Sequence, residues 1–233
     1  MSNKTLNTSP CRLSDMYEFE ALTDNQQKAR DAWEEDHHLV LSGSAGTGKT
    51  YLGMYFALEK VLNKETSYEK VIIVRSIVPT REIGYLPGSR EEKESPYTIP
   101  YVDICADILD TGNAYQKLVL QGKAEFMSTS FIRGTTFDNC IVLVDEMQNL
   151  NFHELDSVIT RVGENCRMIM CGDYYQSDFE KDRDKNGVIQ FLNILEQLTK
   201  FETIEFTWKD IVRSDFVRDY IMTKEMLGVD RIS

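Results

Sequence analysis

Residues 39–54 constrain the fold of this chain more than any other stretch, because they combine an apolar run, a glycine-rich turn and a helical pattern. Residues 43–50 read GSAGTGKT and match G-x-x-x-x-G-K-[ST]. In that context glycines let successive backbone N–H groups face phosphate oxygens, and the following helix adds partial positive charge. The segment therefore predicts a phosphate-binding loop. The residues expected to line it are Gly43, Ser44, Ala45, Gly46, Thr47, Gly48, Lys49, Thr50 and Tyr51.

Two carboxylates extend this prediction from phosphate binding to hydrolysis. In such a loop Lys49 places a charge beside the β- and γ-phosphates, and the Thr50 hydroxyl can ligate Mg²⁺. The apolar residues 141–144 end in Asp145 and Glu146, which places both at the carboxyl end of a strand, where ligands bind in parallel sheets. We expect Asp145 to hold Mg²⁺ through water and Glu146 to orient and deprotonate the attacking water. This pair favours hydrolysis over phosphoryl transfer.

A second apolar run, residues 168–171, is followed by the polar sequence GDYYQ at 172–176. This repeats the arrangement of an apolar strand with polar residues at its end. We expect Gln176 to contact the γ-phosphate or the lytic water and so to report the nucleotide state. An ordinary surface turn is the alternative interpretation.

Short apolar segments alternate with helical patterns, which predicts an α/β fold with a mostly parallel sheet covered by helices on both faces. Residues 1–20 are polar and aperiodic and are expected to form an N-terminal arm, with residues 21–233 as a single domain. Residues 76–96 form a long polar segment of a kind that is usually functional or disordered. The predicted strands are 38–42, 70–75, 124–127, 140–144, 167–171 and 203–206, and the predicted helices are one from Thr23, 49–63, 97–120 in two pieces broken near 111–112, 151–160, 188–198 and 211–227.

Charge and cysteine content argue against several classes of protein. The formal net charge of −12 disfavours a generic nucleic-acid-binding surface but leaves room for a local basic channel. The 5 cysteines include no C-x-x-C pair, so neither a zinc ribbon nor a disulfide framework is expected. Residues 1–20 lack the apolar core of a signal peptide, and no apolar run approaches the length of about 20 residues that spans a membrane. We therefore expect a cytoplasmic protein.

The order of these motifs resembles that of superfamily 1 helicases. Those proteins carry a phosphate loop, then D-E-x-Q, then G-D-x-x-Q, and this chain has the same motifs in the same order. Residues 22–26, LTDNQ, are similar to their Q motif, whose glutamine reads the adenine edge. The resemblance assigns adenine recognition to Gln26, with Gln27 as the neighbouring alternative.

Further segments narrow the resemblance to PhoH-like proteins, over about residues 20–225. Residues 75–97 are similar to the family pattern of an Arg, a Gly, an aromatic-Leu-Pro-Gly, acidic residues, Lys and Pro-Tyr. Two positions depart from the family pattern. The family usually has Arg-Pro where this chain has Arg75 followed by a serine. It usually has R-G-R-T where this chain has Arg133 followed by Gly-Thr-Thr, and the missing second arginine removes one possible phosphate contact. The other matching segments are 131–136, 145–149, 160–163, 172–173 and 210–214.

The resemblance implies a Mg²⁺-dependent ATPase on a RecA-like fold, which assembles into a ring and acts on RNA or DNA as a helicase or translocase. Larger relatives carry a PIN nuclease domain, and the segment before residue 43 is too short to hold one, so no separate nuclease domain is expected. The length of the chain is similar to that of phage-encoded members, which would place the protein in the host cytoplasm.

A chain with a single RecA-like domain is expected to assemble with copies of itself. Superfamily 1 helicases bind ATP between two RecA-like domains, and the second domain supplies an arginine that in other NTPases contributes about 10³–10⁵ to the rate. Here a second copy would supply it, and a head-to-tail contact that closes makes a ring. We expect a homo-oligomer, as a hexamer. Arg213, expected at the start of the last helix, is the favoured arginine, with Arg161 and Arg133 as alternatives.

The segment 76–96 and its neighbours supply the expected contacts to single-stranded RNA or DNA, through cations on the backbone and aromatic rings on the bases. A structural flap over the nucleotide is the alternative for this segment. Two other functions stay open: an ATP-gated module that holds a protein partner with little turnover, and a small-molecule kinase, against which the Asp-Glu pair argues. The residues expected to contact nucleic acid are Arg75, Arg81, Tyr85, Arg90, Lys93 and Arg133.

Overall fold

A six-stranded parallel sheet forms the centre of the protein in the computed structural model, which describes residues 9–77, 90–173 and 182–227. The strands are β1 (His38–Gly43), β2 (Lys70–Arg75), β3 (Ala124–Ser128), β4 (Cys140–Val144), β5 (Cys166–Gly172) and β6 (Phe201–Phe206). Their order is β3-β2-β4-β5-β1-β6, and every neighbouring pair is parallel. The predicted strands are all present, although β5 and β6 begin earlier than predicted.

Helices connect the strands and cover the sheet. In the described ranges they are α1 (Asp24–Glu34), α2 (Lys49–Leu62), α3 (Arg90–Leu109), α4 (Ala114–Leu120), α5 (Phe152–Ile159), α6 (Asp182–Leu195) and α7 (Asp215–Met226). The predicted break near residues 111–112 is confirmed by the gap between α3 and α4. Within these same ranges, none of the helices combines the length and the apolar character needed to cross a membrane.

The start of α3 differs from the prediction. The helix begins at Arg90 and contains Pro96 and Pro100, whereas the sequence pattern predicted a loop through residue 96. Tyr101 and Cys105 in this helix are fully buried, so packing against the core stabilises a helix that local propensity disfavours. The polar composition of residues 76–96 therefore predicted the start of this helix wrongly.

Two further helix starts also differ. α6 begins at Asp182 rather than 188, and α7 begins at Asp215 rather than 211. Before α7 the chain forms a short 3-10 turn, Trp208–Asp210, whose start is capped by the side chain of Thr207. Arg213 consequently lies in the connection that precedes the last helix and does not start it.

Alternate side chains of the strands enter two separate cores. In β1, Leu39 and Leu41 face a core shared with α1 to α4, while Val40 faces a second core with α5 and α6. All three side chains are fully buried, as expected for a strand covered by helices on both faces. The predicted two-sided covering of a parallel sheet is confirmed.

The described part of the N-terminal arm packs on the domain. The backbone N–H of Tyr17 donates to the carbonyl of Ile108 at 3.2 Å, and the Tyr55 hydroxyl donates to the carbonyl of Tyr17 at 2.6 Å. The ring of Phe19 lies 5.4 Å from the rings of both Tyr55 and Phe56. These contacts place residues 17–19 beside α2.

The strand order brings the predicted motifs to one edge of the sheet. Parallel strands end at the same edge, and β4, β5 and β1 are consecutive in the sheet. The phosphate loop follows β1, Asp145 follows β4, and Asp173 follows β5. This edge is where ligands bind in open parallel sheets, and it contains the candidate site.

Candidate active site

The predicted phosphate loop connects β1 to α2 through three glycines with positive φ. Gly43, Gly46 and Gly48 have φ of 122°, 75° and 84°, values that favour glycine over every L-residue. At Gly43 the requirement is also steric, because a Cβ there would lie 1.8 Å from the carbonyl oxygen of Phe206. The sharp turn at the end of β1 therefore depends on glycine.

Two carbonyl groups of the loop are held by the surrounding protein. The carbonyl of Gly46 accepts a 3.1 Å hydrogen bond from the N–H of Val212, and that of Thr47 accepts one of 3.4 Å from Nε2 of Gln26. In a trans peptide the N–H of the next residue lies on the opposite side of the peptide plane. The N–H groups of Thr47 and Gly48 are thereby turned away from these contacts, at the N-terminus of α2, where anions bind favourably.

Lys49 lies across the opening of this loop. Its Nζ donates to the carbonyls of Gly43 and Ser44, at 2.7 Å in each case. Burial lowers the pKa of the Lys49 ammonium, while Asp173 is the largest of the nearby charges that raise it. The side chain is therefore a cation held at the centre of the site.

Asp145 and Thr50 meet at the end of β4. The Thr50 hydroxyl donates to Oδ1 of Asp145 at 2.7 Å, and the Tyr101 hydroxyl donates to Oδ2 at 2.7 Å. Burial raises the pKa of the Asp145 carboxyl and Glu146 raises it further, whereas these two hydroxyl donors lower it. Hydroxyl and carboxylate oxygens are the ligands that Mg²⁺ takes in proteins, so the donor set fits this ion.

Glu146 follows directly, in a left-handed conformation with φ of 51°. Gln148 Nε2 donates to its Oε2 at 2.5 Å, and Arg75 approaches its Oε1 at 3.9 Å. The Glu146 side chain is 40% exposed, whereas Asp145 is only 3% exposed. The two adjacent carboxylates therefore differ in solvent access, and Glu146 is the one that water can reach.

Gln148 is a site residue that sequence reasoning did not single out. Its Oε1 accepts a 3.1 Å hydrogen bond from the N–H of Asp173, and a Cβ on Gly172 would lie close to that same oxygen. The amide thus links the end of β4 to the end of β5 and also binds Glu146. The D-E-x-Q spacing was visible in the sequence, but the partner across the sheet was not.

A cavity of about 360 Å³ adjoins the phosphate loop. Gln26 is buried there, and its Oε1 accepts a 2.9 Å hydrogen bond from the N–H of Leu22. Gln27 instead is exposed and donates to Asp31 at 2.8 Å. The lining also includes Tyr17, Phe19, Gly46, Gly48, Tyr51, Tyr55, Val212 and Arg213.

Arg213 lies beside the phosphate loop of its own chain. A Cβ on Gly46 would lie 3.2 Å from Cγ of Arg213, and Arg213 lines the 360 Å³ cavity. It was predicted at the start of the last helix, as the favoured arginine that a second copy would supply. The backbone hydrogen bond from Val212 to Gly46 holds this segment against the loop, while Arg213 itself is exposed, and its predicted role between subunits stays a prediction.

The other predicted arginines have different surroundings. Arg161 is half-buried, with Nε donating to the carbonyl of Ile132 at 2.7 Å and NH1 to that of Ser157 at 2.6 Å. Arg133 is exposed in the turn after β3. Arg75, predicted to contact nucleic acid, lies with its NH2 3.9 Å from Oε1 of Glu146, and burial lowers its pKa while the charges of Tyr101 and Asp145 raise it.

Several predicted residues lie outside the described ranges. Gln176 falls between residues 173 and 182, and Arg81 and Tyr85 fall between residues 77 and 90. The backbone of Arg90 begins α3 and Lys93 lies in its first turns, but their side chains are not described. The roles predicted for these residues stay predictions.

Known proteins resemble this chain over most of its length. A family model described as "PhoH-like protein" matches residues 18–224. The PhoH-like protein of Mycobacterium leprae is 30% identical over 198 residues, covering 84% of this chain and 56% of that protein. The PhoH-like protein of Bacillus subtilis is 33% identical over 180 residues, covering 77% and 55%. The chain thus spans about half the length of these curated relatives.

Among solved structures, the large terminase of a thermophilic bacteriophage in complex with ADP has a TM-score of 0.50 and 12% identity. The match covers 85% of this chain and 48% of that one, and it supports the fold alone. The parallel sheet, the phosphate loop and the helices on both faces form the RecA-like P-loop arrangement that the sequence predicted. With its family pattern matched from residue 18 to residue 224, the chain belongs to the PhoH-like family.

Proposed function

We propose that the protein is a Mg²⁺-dependent ATPase that acts on single-stranded RNA or DNA, as a helicase or translocase, and works as a homo-oligomer. The observation that carries the ATPase part is the 2.7 Å hydrogen bond between Thr50 and Asp145. It brings together a hydroxyl at the start of α2 and a carboxylate at the end of β4, beside a phosphate loop. Glu146, the adjacent carboxylate, is open to solvent.

The roles of the chain's own groups follow from their positions. Backbone N–H groups of the loop and the Lys49 ammonium bind the β- and γ-phosphates of ATP. Thr50 would hold Mg²⁺ directly and Asp145 would hold it through water, and the bound ion neutralises charge on the phosphates. Glu146 orients a water in line with the γ-phosphate and accepts its proton. Gln148 fixes the Glu146 carboxylate for this task.

The cavity beside the loop is the proposed site of the adenine base. Gln26 is the buried amide on its wall, and Tyr51 and Arg213 lie on the same lining. Gln26 already bonds to Leu22 and Thr47, so the base edge would be read by an amide held between the N-terminal segment and the phosphate loop. Gln27, bound to Asp31 on the exposed side of α1, is not part of this wall.

The turn after β3 supports the nucleic-acid part of the proposal. Phe131 is 44% exposed there and Arg133 is exposed, in the connection that leads from the carboxyl end of β3 to the start of β4. An aromatic ring and a guanidinium are the groups that stack on bases and neutralise phosphates. Because the net charge is −12, such binding would be local and sensitive to salt.

Assembly is proposed because an ATP site of this type takes an arginine from a second domain, and this chain has one RecA-like domain in its described part. A head-to-tail ring, with a hexamer as the expected size, would supply the arginine at each boundary. Arg133 and Arg213 are both exposed, and Arg133 is the proposed candidate because Arg213 packs on its own loop and Arg161 binds two carbonyls of its own chain.

The experiment that tests the proposal is ATPase activity with and without single-stranded RNA and DNA at low salt, on protein whose mass is measured by light scattering. We expect hydrolysis that requires Mg²⁺, stimulation by one of the two nucleic acids, and a mass several times that of the chain. Absence of hydrolysis overturns the ATPase assignment. A rate unchanged by both nucleic acids overturns their involvement, and a monomeric mass overturns assembly.

A second candidate function is an ATP-gated module that binds a protein partner with little turnover. It is favoured by α7, on which Phe216 is 80% exposed and Tyr220 is 62% exposed, one helical turn apart. The substitution Glu146→Gln separates the two functions. For an ATPase it should preserve ATP binding and lower hydrolysis by about 10²–10⁴-fold. If the cellular role survives this substitution unchanged, the switch is the better description.

A further inference from the structure

A buried tyrosine contacts the carboxylate at the centre of the candidate site. Tyr101, in α3, is 0% exposed, and its hydroxyl donates to Oδ2 of Asp145 at 2.7 Å. The other oxygen of the same carboxylate, Oδ1, accepts from Thr50 at 2.7 Å. Each carboxylate oxygen therefore has one hydroxyl donor, from a different element of the fold.

This arrangement restricts the orientation of the carboxylate. A carboxylate with one donor can rotate about the bond to Cβ, whereas donors on both oxygens fix the plane of the group. The Tyr101 ring is itself held, with its centroid 6.0 Å from that of Phe126 in β3. The hydroxyl is thus held in a fixed position beside Asp145. Residues that hydrogen-bond to a metal ligand, without touching the metal, orient the ligand in this way.

Tyr101 also connects Asp145 to Glu146. Arg75, at the end of β2, lies close enough to Tyr101 for its charge to act on the pKa of the Tyr101 hydroxyl, and its NH2 lies 3.9 Å from Oε1 of Glu146. Tyr101 and Arg75 therefore stand between Asp145 and Glu146, on a path separate from the backbone that joins the two carboxylates. Substitution of Tyr101 or Arg75 should therefore affect both Asp145 and Glu146.

The helix that carries Tyr101 is fastened to the sheet beside the site. Glu94, near the start of α3, is 6% exposed, and its Oε1 accepts from the N–H of Ser128 at the end of β3 at 3.2 Å. Cys105 and Ile108 in the same helix are fully buried in the core. A displacement of α3 relative to the sheet would consequently move the Tyr101 hydroxyl away from Asp145.

We propose that Tyr101 is a positioning residue for the Mg²⁺–ATP site: it orients the Asp145 carboxylate toward the metal and, through Arg75, couples it to Glu146. This inference rests on the ATPase function proposed above. Tyr101 acts on Asp145 rather than on the phosphates, so its loss should weaken the use of Mg²⁺ while leaving metal-free nucleotide binding intact.

The test compares Tyr101→Phe with the wild-type protein and with Tyr115→Phe. The first substitution keeps the ring and removes only the hydroxyl that binds Asp145. Tyr115 is also buried, at 7% exposed, but it lies in α4 rather than beside Asp145, which makes it the matched control. Two quantities are measured for each protein: the affinity for a fluorescent ATP analogue with and without Mg²⁺, and the Mg²⁺ concentration that gives half-maximal ATPase activity.

For Tyr101→Phe we expect unchanged affinity without Mg²⁺, and a loss of about 10- to 100-fold in the affinity for Mg²⁺ at the nucleotide site. Tyr115→Phe should match the wild type in both quantities. A thermal midpoint measured without ligand shows whether a variant is folded. Unchanged Mg²⁺ dependence in Tyr101→Phe, in a wild-type background that hydrolyses ATP, overturns the inference. A wild type that neither binds nor hydrolyses Mg²⁺–ATP overturns the proposed function instead, and the inference with it.

The double variant Tyr101→Phe/Arg75→Gln tests the connection to Glu146. If the two residues act along one path, the effect of the double variant on the ATPase rate is smaller than the product of the two single effects. Independent, multiplicative effects would contradict the coupling through Arg75 and would leave Tyr101 as a partner of Asp145 alone.

Discussion

The hydroxyl of Thr50 donates a 2.7 Å hydrogen bond to Oδ1 of Asp145, although the two residues are 95 positions apart. One lies in the first turn of α2 and the other directly after β4. The contact brings the phosphate loop and the strand carrying the carboxylates together, as the proposed Mg²⁺ site requires. Each of the two side chains retains an oxygen lone pair that the ion can use.

This contact leads to a prediction at Thr50. Thr50→Val keeps the shape of the side chain and removes the hydroxyl. Loss of a residue that only hydrogen-bonds to a metal ligand typically costs roughly 10- to 100-fold, and we expect Mg²⁺-dependent ATPase activity to fall by more than this, because Thr50 is the proposed ligand itself. Thr50→Ser keeps the hydroxyl and should retain most of the activity. Steady-state rates over a range of Mg²⁺ concentrations measure both. Equal rates in the two variants would show that the hydroxyl is not used.

The position of Arg213 predicts the outcome of a subunit-mixing experiment. Arg213→Ala removes the arginine and leaves Glu146, whereas Glu146→Gln leaves the arginine and inactivates hydrolysis. Because Arg213 packs against Gly46 of its own chain, we expect mixtures of the two variants to show only the sum of their separate activities. An arginine that acted on a neighbouring site would restore activity, because it contributes about 10³–10⁵ in rate where it has been measured.

Activity of the mixture above that sum would therefore return Arg213 to the role of an arginine supplied between subunits. The KM for ATP of Arg213→Ala gives an independent measure. We expect it to rise, since the side chain lines the cavity proposed for the base.

We expect substitution of Gly43 to lower the stability of the protein. At φ of 122°, Gly43→Ala would place a Cβ 1.8 Å from the carbonyl oxygen of Phe206, which is backbone and cannot move without disturbing β6. We expect the free energy of unfolding to fall by at least about 1–3 kcal/mol, the usual cost of one strained residue. Urea unfolding followed by circular dichroism measures the change.

Gly112 provides the matched control for this prediction. Its φ is not positive and a Cβ there meets nothing within 4 Å. Gly112→Ala should leave stability unchanged or raise it by about 0.4–1 kcal/mol, because the unfolded chain loses freedom. Similar losses in both variants would mean that the close approach of Phe206 to Gly43 is not the cause.

We expect the stability of the protein to depend on pH through His38. Its Nδ1 accepts a 3.1 Å hydrogen bond from the N–H of Met168, and burial, followed by the nearby charge of Arg167, lowers the pKa of His38 to about 4. Below a pH of about 6.5 the unfolded chain binds a proton at this histidine that the folded protein does not. Stability should therefore fall as the pH is lowered from about 6.5 to 4, by at most about 1.4 kcal/mol per pH unit from this residue.

His38→Asn removes the titration and retains an acceptor for Met168, so its stability should change less between pH 7 and pH 4.5 than that of the wild type. His153→Asn, at an exposed histidine, is the control and should keep the wild-type profile. Urea midpoints across this range give the comparison. Parallel pH profiles for the wild type and His38→Asn would contradict the assignment of the effect to His38.

The elements best predicted from sequence are those whose signal is local. The phosphate loop has its glycines, Lys49 and Thr50 within eight consecutive residues, and β4 is an unbroken apolar run that ends in Asp145. Both were placed correctly, because the chemistry and the backbone requirement reside in adjacent positions. Gln26, which the Q-motif resemblance favoured, lines the cavity, whereas Gln27 is exposed, and the adenine-reading role of Gln26 stays a prediction.

The elements predicted wrongly are those in which distant packing outweighs local propensity. α3 contains Pro96 and Pro100 and still forms a helix, because Tyr101 and Cys105 are buried beneath it. Arg75, whose predicted nucleic-acid contact stays a prediction, lies at the end of β2 with its NH2 3.9 Å from Oε1 of Glu146, a neighbour that the sequence did not indicate. Neither outcome follows from the residues adjacent in the chain.

The sequence by itself determined the phosphate loop, the two carboxylates and the parallel α/β fold, because glycine conformation and strand hydrophobicity are properties of consecutive residues. Only the tertiary structure decided which groups hold those residues in place: Tyr101 on Asp145, Gln148 on Glu146, and Arg213 against its own phosphate loop. Hydrogen bonds and packing between elements far apart in the chain depend on the order of strands in the sheet. That order is set by the packing of the whole domain.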